Sequence, residues 1–445
     1  LEKMMLRAGT PGSLTRFAVL GLGSLVLLGG CGLFDDEEIL SGERIHIRAE
    51  SAAAPLEATR VPLPEARGNT DWTQTNGNSS HNSGNLAGPA APRAAWSGDV
   101  GTGGGSGGEI TSAPIVANGT VFAMDAGSAL VAFDAASGSR RWQADLSPER
   151  ERGTEGFGGG LAADGETVYA ATGFGEILAV SAESGEIKWR KSFGAPFRAA
   201  PAVHRGLVVA VTRDNRAVGL SGADGTLRWR LQGATADAGL LGGASPAIVG
   251  GLVVLPFASG ELVAVEGGSG RRLWSAVLSG GRKGLARSAI TDISGDPVVV
   301  GPYVVAANQS GRMIAIDGRN GQRAWTRNIG SGAPIWAAGD TIFLVSDDAK
   351  LMRISVRDGT TLWETQLPAF RNPEKRKDAI AYSGPVLVGG RLLVTDSQGN
   401  LLSYDAISGV GQPGGSISGG SVTGAVVANG TVYVLSDSGT LHAFR

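Results

Sequence analysis

The sequence predicts an all-β protein: an eight-bladed β-propeller of four-stranded antiparallel blades, its ring closed by an N-terminal strand. Three observations predict it. A unit of short apolar runs separated by Gly-rich turns recurs at a period of about 40–50 residues, the range of stacked or radial β-units. Six copies end in a tryptophan, at Trp142, Trp189, Trp229, Trp274, Trp325 and Trp363. The last unit stops one strand short at Arg445, while an orphan strand, Arg93-Ala94-Ala95-Trp96, precedes the first.

Residues 1–30 read as a lipoprotein signal. Lys3, Arg7 and Arg16 precede an apolar stretch from Phe17 to Leu28, and small residues lead to the only cysteine, Cys31. This is the layout of a secretory signal, and the stretch is shorter than the roughly 20 apolar residues of a membrane-spanning helix. Leu28-Gly29-Gly30-Cys31 resembles the bacterial lipobox, which implies cleavage before Cys31 and acylation there. Gly32 rather than Asp after the cysteine favours sorting to the outer membrane. Several acyl chains anchor stably where one binds only marginally. Lipidated Cys31 leaves no cysteine for disulfides, so stability must come from a large core. Residues 1–30 carry Lys3, Arg7 and Arg16 against Glu2, so their removal takes the net charge from −2 to −4. That balance argues against a nucleic-acid partner, which calls for a basic stripe.

Residues 31–92 read as a lipidated N-terminal tether. Pro55, Pro62 and Pro64 interrupt any periodicity, and Thr75 to Asn85 is a polar Asn/Ser/Gly tract. Such composition predicts a linker of mixed stiffness.

Residues 93–445 form the propeller. One unit runs Leu252-Val253-Val254-Leu255, Gly260-Glu261-Leu262-Val263-Ala264-Val265 and Arg271-Arg272-Leu273-Trp274. Asn118-Gly119 and Asn429-Gly430 carry hairpin chemistry, because Asn-Gly readily takes the positive φ angles of a type I′ turn. Four-stranded units repeated radially describe a propeller, and the recurring Trp reads as a packing device. Two units without Trp, Gly384 to Val410 and Gly424 to Arg445, bring the count to eight if the Trp96 strand completes the last blade. Closure removes exposed sheet edges. Seven blades is the alternative if the weak seventh unit is irregular.

No catalytic constellation is visible. His46, His81, His204 and His442 form no pair at metal-ligand spacing, and Gly101 to Gly108 lacks the Gly-Lys-Ser/Thr ending of a phosphate loop. Asp292 to Asp296 lacks the spacing and final Glu of a calcium loop. The expectation is a non-enzyme with no cofactor and no metal.

The repeat ending, Ala-x-Asp-x-x-Ser-Gly-x-x-x-Trp in its fullest form, resembles that of pyrroloquinoline-quinone dehydrogenases. That resemblance would imply a vicinal cysteine pair and a calcium site, and the single Cys31 makes the pair impossible. With the lipobox, the tether segments Leu40 to Arg44 and Asp71 to Gln74, and eight units, the chain more closely resembles the BamB family. These are propeller lipoproteins of the outer-membrane β-barrel assembly machinery. The resemblance implies a non-catalytic scaffold on the periplasmic face of the outer membrane. It would bind the POTRA domains of the central barrel subunit BamA and assist folding and insertion of nascent outer-membrane barrels. The alternatives are a quinone dehydrogenase and another periplasmic binding module, such as one holding nascent strands by β-augmentation.

Two long loops follow Trp strands of neighbouring units on one face, Leu231 to Ser245 and Ser275 to Asp296. Leu240 and Leu241 offer an apolar anchor, with Arg282, Lys283, Arg287 and Asp292 as its charged rim. This is hot-spot anatomy; the alternative buries both leucines between blades. By position, the resemblance places Leu240, Leu241 and Asp292 on the partner-contacting sites. It departs where the family has an Arg, here Leu241, and a second Asp, here Ser294. Pro148 to Arg152 and Arg371 to Asp378 read as solvated charged loops, with further partner contacts as the alternative.

Overall fold

The computed structural model describes residues 61–89, 91–105, 108–156, 158–236, 242–278, 290–421 and 423–445. Blade 1 shows how the repeat folds. Ile115–Ala117 lies innermost, followed outward by Thr120–Met124, Ala129–Asp134 and Arg140–Asp145 in one antiparallel sheet. The two inner strands are wholly buried, and the outermost is largely exposed. The inner strands therefore read as continuous apolar runs, because both of their faces pack against neighbouring blades. Asn118 and Gly119 take φ of 50° and 68°, the predicted hairpin turn.

Eight such sheets are present. The unit weakest in sequence is a regular blade 7, from Tyr382–Val388 to Gly411–Ser416, so the count is eight and not seven. Blade 8 closes as expected. Ala94–Asp99 pairs antiparallel with Thr440–Phe444, and Arg93 and Arg445 exchange two backbone hydrogen bonds of 2.8 Å. The charged segment at Arg371 to Asp378 is a small exposed hairpin, Phe370–Asn372 paired with Lys377–Ala379.

The repeated tryptophan is the joint between blades. Trp96, Trp142, Trp189, Trp229, Trp274, Trp325 and Trp363 each donate an indole N–H to a backbone carbonyl of the next blade, at 2.7–3.3 Å. Each ring also lies flat on a turn glycine of that blade. At Gly359 the backbone has φ +74°, and an added Cβ would meet Trp325 at 2.9 Å. Only glycine serves there, because the turn needs a left-handed residue and the indole occupies the space of a side chain. The Gly-x-x-x-Trp spacing therefore encodes two joints at once: the glycine receives one ring, and the Trp reaches forward to the next blade.

One joint lacks this device. The outer strand of blade 7, Gly411–Ser416, carries Pro413 and no Trp, and blade 8 has no covalent turn to receive one. Its place is taken from inside the ring. Residues expected to form a tether instead run once around the propeller axis, touching every blade in order. Asn69 bonds to Val427 and Asn429 of blade 8, Trp72 to Val116 of blade 1, and Thr73 to Ala163 of blade 2. Gln74 makes two bonds to Val203 of blade 3. Ser79 bonds to Ile248 of blade 4, and Ser80 to Val299 of blade 5. Gly84 accepts the indole N–H of Trp336 in blade 6, and Leu86 pairs with Leu387 and Gly389 of blade 7. The two ends of this circuit meet, Arg67 exchanging hydrogen bonds with Asn85 and Ala87. They meet across the seam between blades 7 and 8. The boundary of the folded body therefore lies well before residue 92. The polar tract fails as a linker because its amides complete hydrogen bonds that the inner strand ends would otherwise lack.

Two expectations follow. Trp325→Ala should cost about 3–5 kcal/mol in urea denaturation, and Trp325→Phe, which loses mainly the indole N–H bond, about 1 kcal/mol. Leu86→Ala should cost about 2–5 kcal/mol. Its amide exchange should rise first in blades 7 and 8, since the circuit bridges that seam.

Candidate functional site

The beginnings of the inner strands surround an open funnel of about 560 Å³ on the axis. Its walls combine small residues, such as Ala113, Gly159, Ala200, Gly332 and Gly384, with the larger or charged Glu109, Arg198, Asp296 and Tyr382. Trp72, Gln74, Thr75 and Asn76 of the circuit line it as well. Trp72 is 3% exposed and stacks on Trp336 with ring centroids 5.7 Å apart. The circuit bonds at the far ends of the inner strands, so it closes the channel opposite the funnel mouth. The mouth opens on the face where one blade connects to the next, the face that bears both long loops.

Leu240 and Leu241, with Arg282, Lys283 and Arg287, lie outside the described residues, as does Cys31. The flanks of the two loops are described. Asp292 differs from expectation: it is 1% exposed, and its carboxylate accepts a hydrogen bond from the Arg198 guanidinium. It is therefore not an open rim charge in this conformation. The physical reason is that an enclosed carboxylate needs a partner, and the loop joining blades 2 and 3 delivers one. Ser294, standing where the family pattern has a second Asp, donates instead to the Ser331 carbonyl at 3.0 Å. The next carboxylate, Asp296, accepts from the Ser245 amide at 2.6 Å, tying the end of the first loop to the start of blade 5.

Beneath this pair sits the circuit. The Ser245 hydroxyl lies 3.1 Å from that of Thr75, and His81 Nδ1 lies 2.8 Å from the Pro297 carbonyl. Burial pushes the His81 imidazole below its ordinary pKa, against the attraction of Asp296. Burial also pushes the Asp296 carboxyl up, opposed by His81 and Ser245. Arg198 escaped the sequence reading, and Ser245, Asp296 and His81 entered it without these contacts. The one signal was Arg198 itself, a cation set among Phe197, Ala199 and Ala200. Among the described residues no cluster of His, Cys, Asp or Glu is arranged to hold a metal.

The class of protein follows from this geometry: an eight-bladed propeller with tryptophan-docked repeats, whose channel is closed by the chain segment that precedes the blades. A family model described as outer membrane protein assembly factor BamB matches residues 93–153 and 126–365. The chain belongs to that family. The outer membrane protein assembly factor BamB of Yersinia pestis is 27% identical over 438 residues, covering 97% of this chain and 99% of that protein. Its counterpart in Escherichia coli is 26% identical over 435 residues, covering 97% of this chain and 99% of that protein. The crystal structure of BamB from Moraxella catarrhalis aligns with a TM-score of 0.67 at 18% identity, covering 80% of this chain and 100% of that one. Quinohemoprotein alcohol dehydrogenase from Comamonas testosteroni aligns with a TM-score of 0.65 at 13% identity, covering 85% of this chain and 81% of that one. At these identities the solved structures show the fold alone.

The buried histidine makes a pH prediction. His81 has a lowered pKa in the fold, so the unfolded chain binds the extra proton first. Stability from this residue is complete above the unfolded value of about 6.5 and falls as pH drops below it. Asp296 works in the opposite sense: its raised pKa favours the fold at low pH, and that contribution fades as pH rises through the raised value. His81→Gln should therefore lose stability less steeply than wild type as pH falls below about 6.5 in parallel urea titrations.

Proposed function

We propose that this protein is a non-catalytic scaffold of the outer-membrane β-barrel assembly machinery. It docks on the POTRA domains of BamA and assists the folding and insertion of nascent outer-membrane proteins. The observation that carries the reading is the match over nearly the whole chain, with almost full coverage, to relatives named for outer-membrane protein assembly. The construction of the body agrees with it. The repeats spend their sequence on strands and joints, which leaves connecting loops free to recognise partners from a rigid frame.

Docking uses the face bearing the loops after Trp229 and Trp274, with Leu240 and Leu241 as the apolar anchor. Asp292 supports that face from within, through Arg198. Attachment is by lipid at Cys31, which holds the propeller at the periplasmic face of the outer membrane. Among the described residues no helix is long and apolar enough to cross a membrane.

The test is affinity purification from native membranes. A Leu240→Asp/Leu241→Asp variant should melt within a few degrees of wild type and lose at least tenfold of the co-purified BamA. Undiminished recovery would remove these loops as the docking site. Quinone-dependent dye reduction by the purified protein would instead return the dehydrogenase reading.

A further inference from the structure

Arg198 links three consecutive interblade connections. It sits in the connection from blade 2 to blade 3, where the preceding residue, Phe197, is 1% exposed and its amide donates to Thr172 at 3.1 Å. Its own carbonyl accepts from the Gly243 amide at 2.9 Å, in the connection from blade 3 to blade 4. Its guanidinium passes beneath Gly243, where an added Cβ would lie 1.7 Å from Arg198 Nε. The side chain then reaches Asp292 and, at 3.4 Å, the Ile293 carbonyl, where the connection from blade 4 enters blade 5. The side chains of Arg198 and Asp292 are 3% and 0% exposed, so solvent neither screens nor replaces the pair.

We infer that Arg198 is a positioning residue for the docking face: it braces the two partner-binding loops against each other, and Asp292 acts by holding Arg198. This rests on the reading of those loops as the docking face. The chemistry suits the role. A guanidinium is planar and permanently charged, so it can lie flat under a glycine backbone while directing donors sideways. A lysine would keep the charge and lose the fork. The sequence departures noted above then gain a meaning. The chain lacks an arginine within the loop after Trp229, and it supplies one from the neighbouring connection.

The experiment measures binding of the full-length lipoprotein in detergent to purified BamA carrying its POTRA domains, with thermal melting in parallel. Arg198→Met should weaken binding at least tenfold, and Arg198→Lys should recover part of that loss. Arg198→Met/Asp292→Asn should bind no more weakly than the weaker single variant, because the pair acts as one unit. Gly243→Ala changes no charge but pushes on the guanidinium, so it should weaken binding even where Arg198→Met fails to fold. Wild-type affinity in Arg198→Met and Gly243→Ala, or additive losses in the pair, would overturn the brace. If Leu240→Asp/Leu241→Asp still loses binding in that case, the docking face stands without it. If the leucine variant also binds like wild type, the docking face itself fails and the brace falls with it.

Discussion

Everything in this structure leans on one circuit of hydrogen bonds, made by residues 69–86 against the inner strands of all eight blades. An eight-bladed ring leaves a wide axis, and its inner strands converge there with backbone groups that need partners. The chain fills the axis at one end with its own peptide, whose amide side chains reach sideways as donors and acceptors. Gln74 illustrates the economy: its single amide both donates to and accepts from Val203. The circuit ties distant blades together directly, where the Trp joints connect only neighbours.

The two systems are complementary. Seven tryptophan joints run around the outside of the ring, and the eighth seam, beside which Arg93 and Arg445 meet, has none. At that seam the two arms of the circuit pair with each other and with blades 7 and 8. Gly88 is part of the fit: an added Cβ would lie 2.3 Å from Val388 and 3.8 Å from Val427, one residue on each side of the seam. The largest apolar cluster spans the same region and includes Trp72 and Leu86 of the circuit. Support moves inward where the outer device is missing.

How much of this the sequence displays depends on how local the cause is. The blades were legible because each strand, turn and joint is specified within a few dozen residues: Asn118-Gly119 sets a hairpin, and Gly359 and Trp363 mark two joints four residues apart. The ring closure was legible because a strand was missing at one end and surplus at the other. The circuit was not. A run of Asn, Ser and Gly has the composition of a linker, and nothing local distinguishes amides that face water from amides that complete a sheet. Asp292 misled for a related reason. Whether a carboxylate is open or enclosed depends on its partner, and Arg198 lies 94 residues away on another blade.

The closing strand has a consequence in time. A ribosome makes residues 61–99 long before residues 425–444, yet these segments share blade 8 and the seam beside it. Until residues 425–444 exist, residues 61–99 have no complete surface to occupy, and the circuit has no eighth blade to bind. Early blades gain contacts as they appear, but the axis and the seam complete together at the end. Closure of the ring therefore waits on residues 425–444. A chain truncated there would forfeit the closing strand's pairing and the circuit's bonds to blade 8, at the one seam without a tryptophan joint.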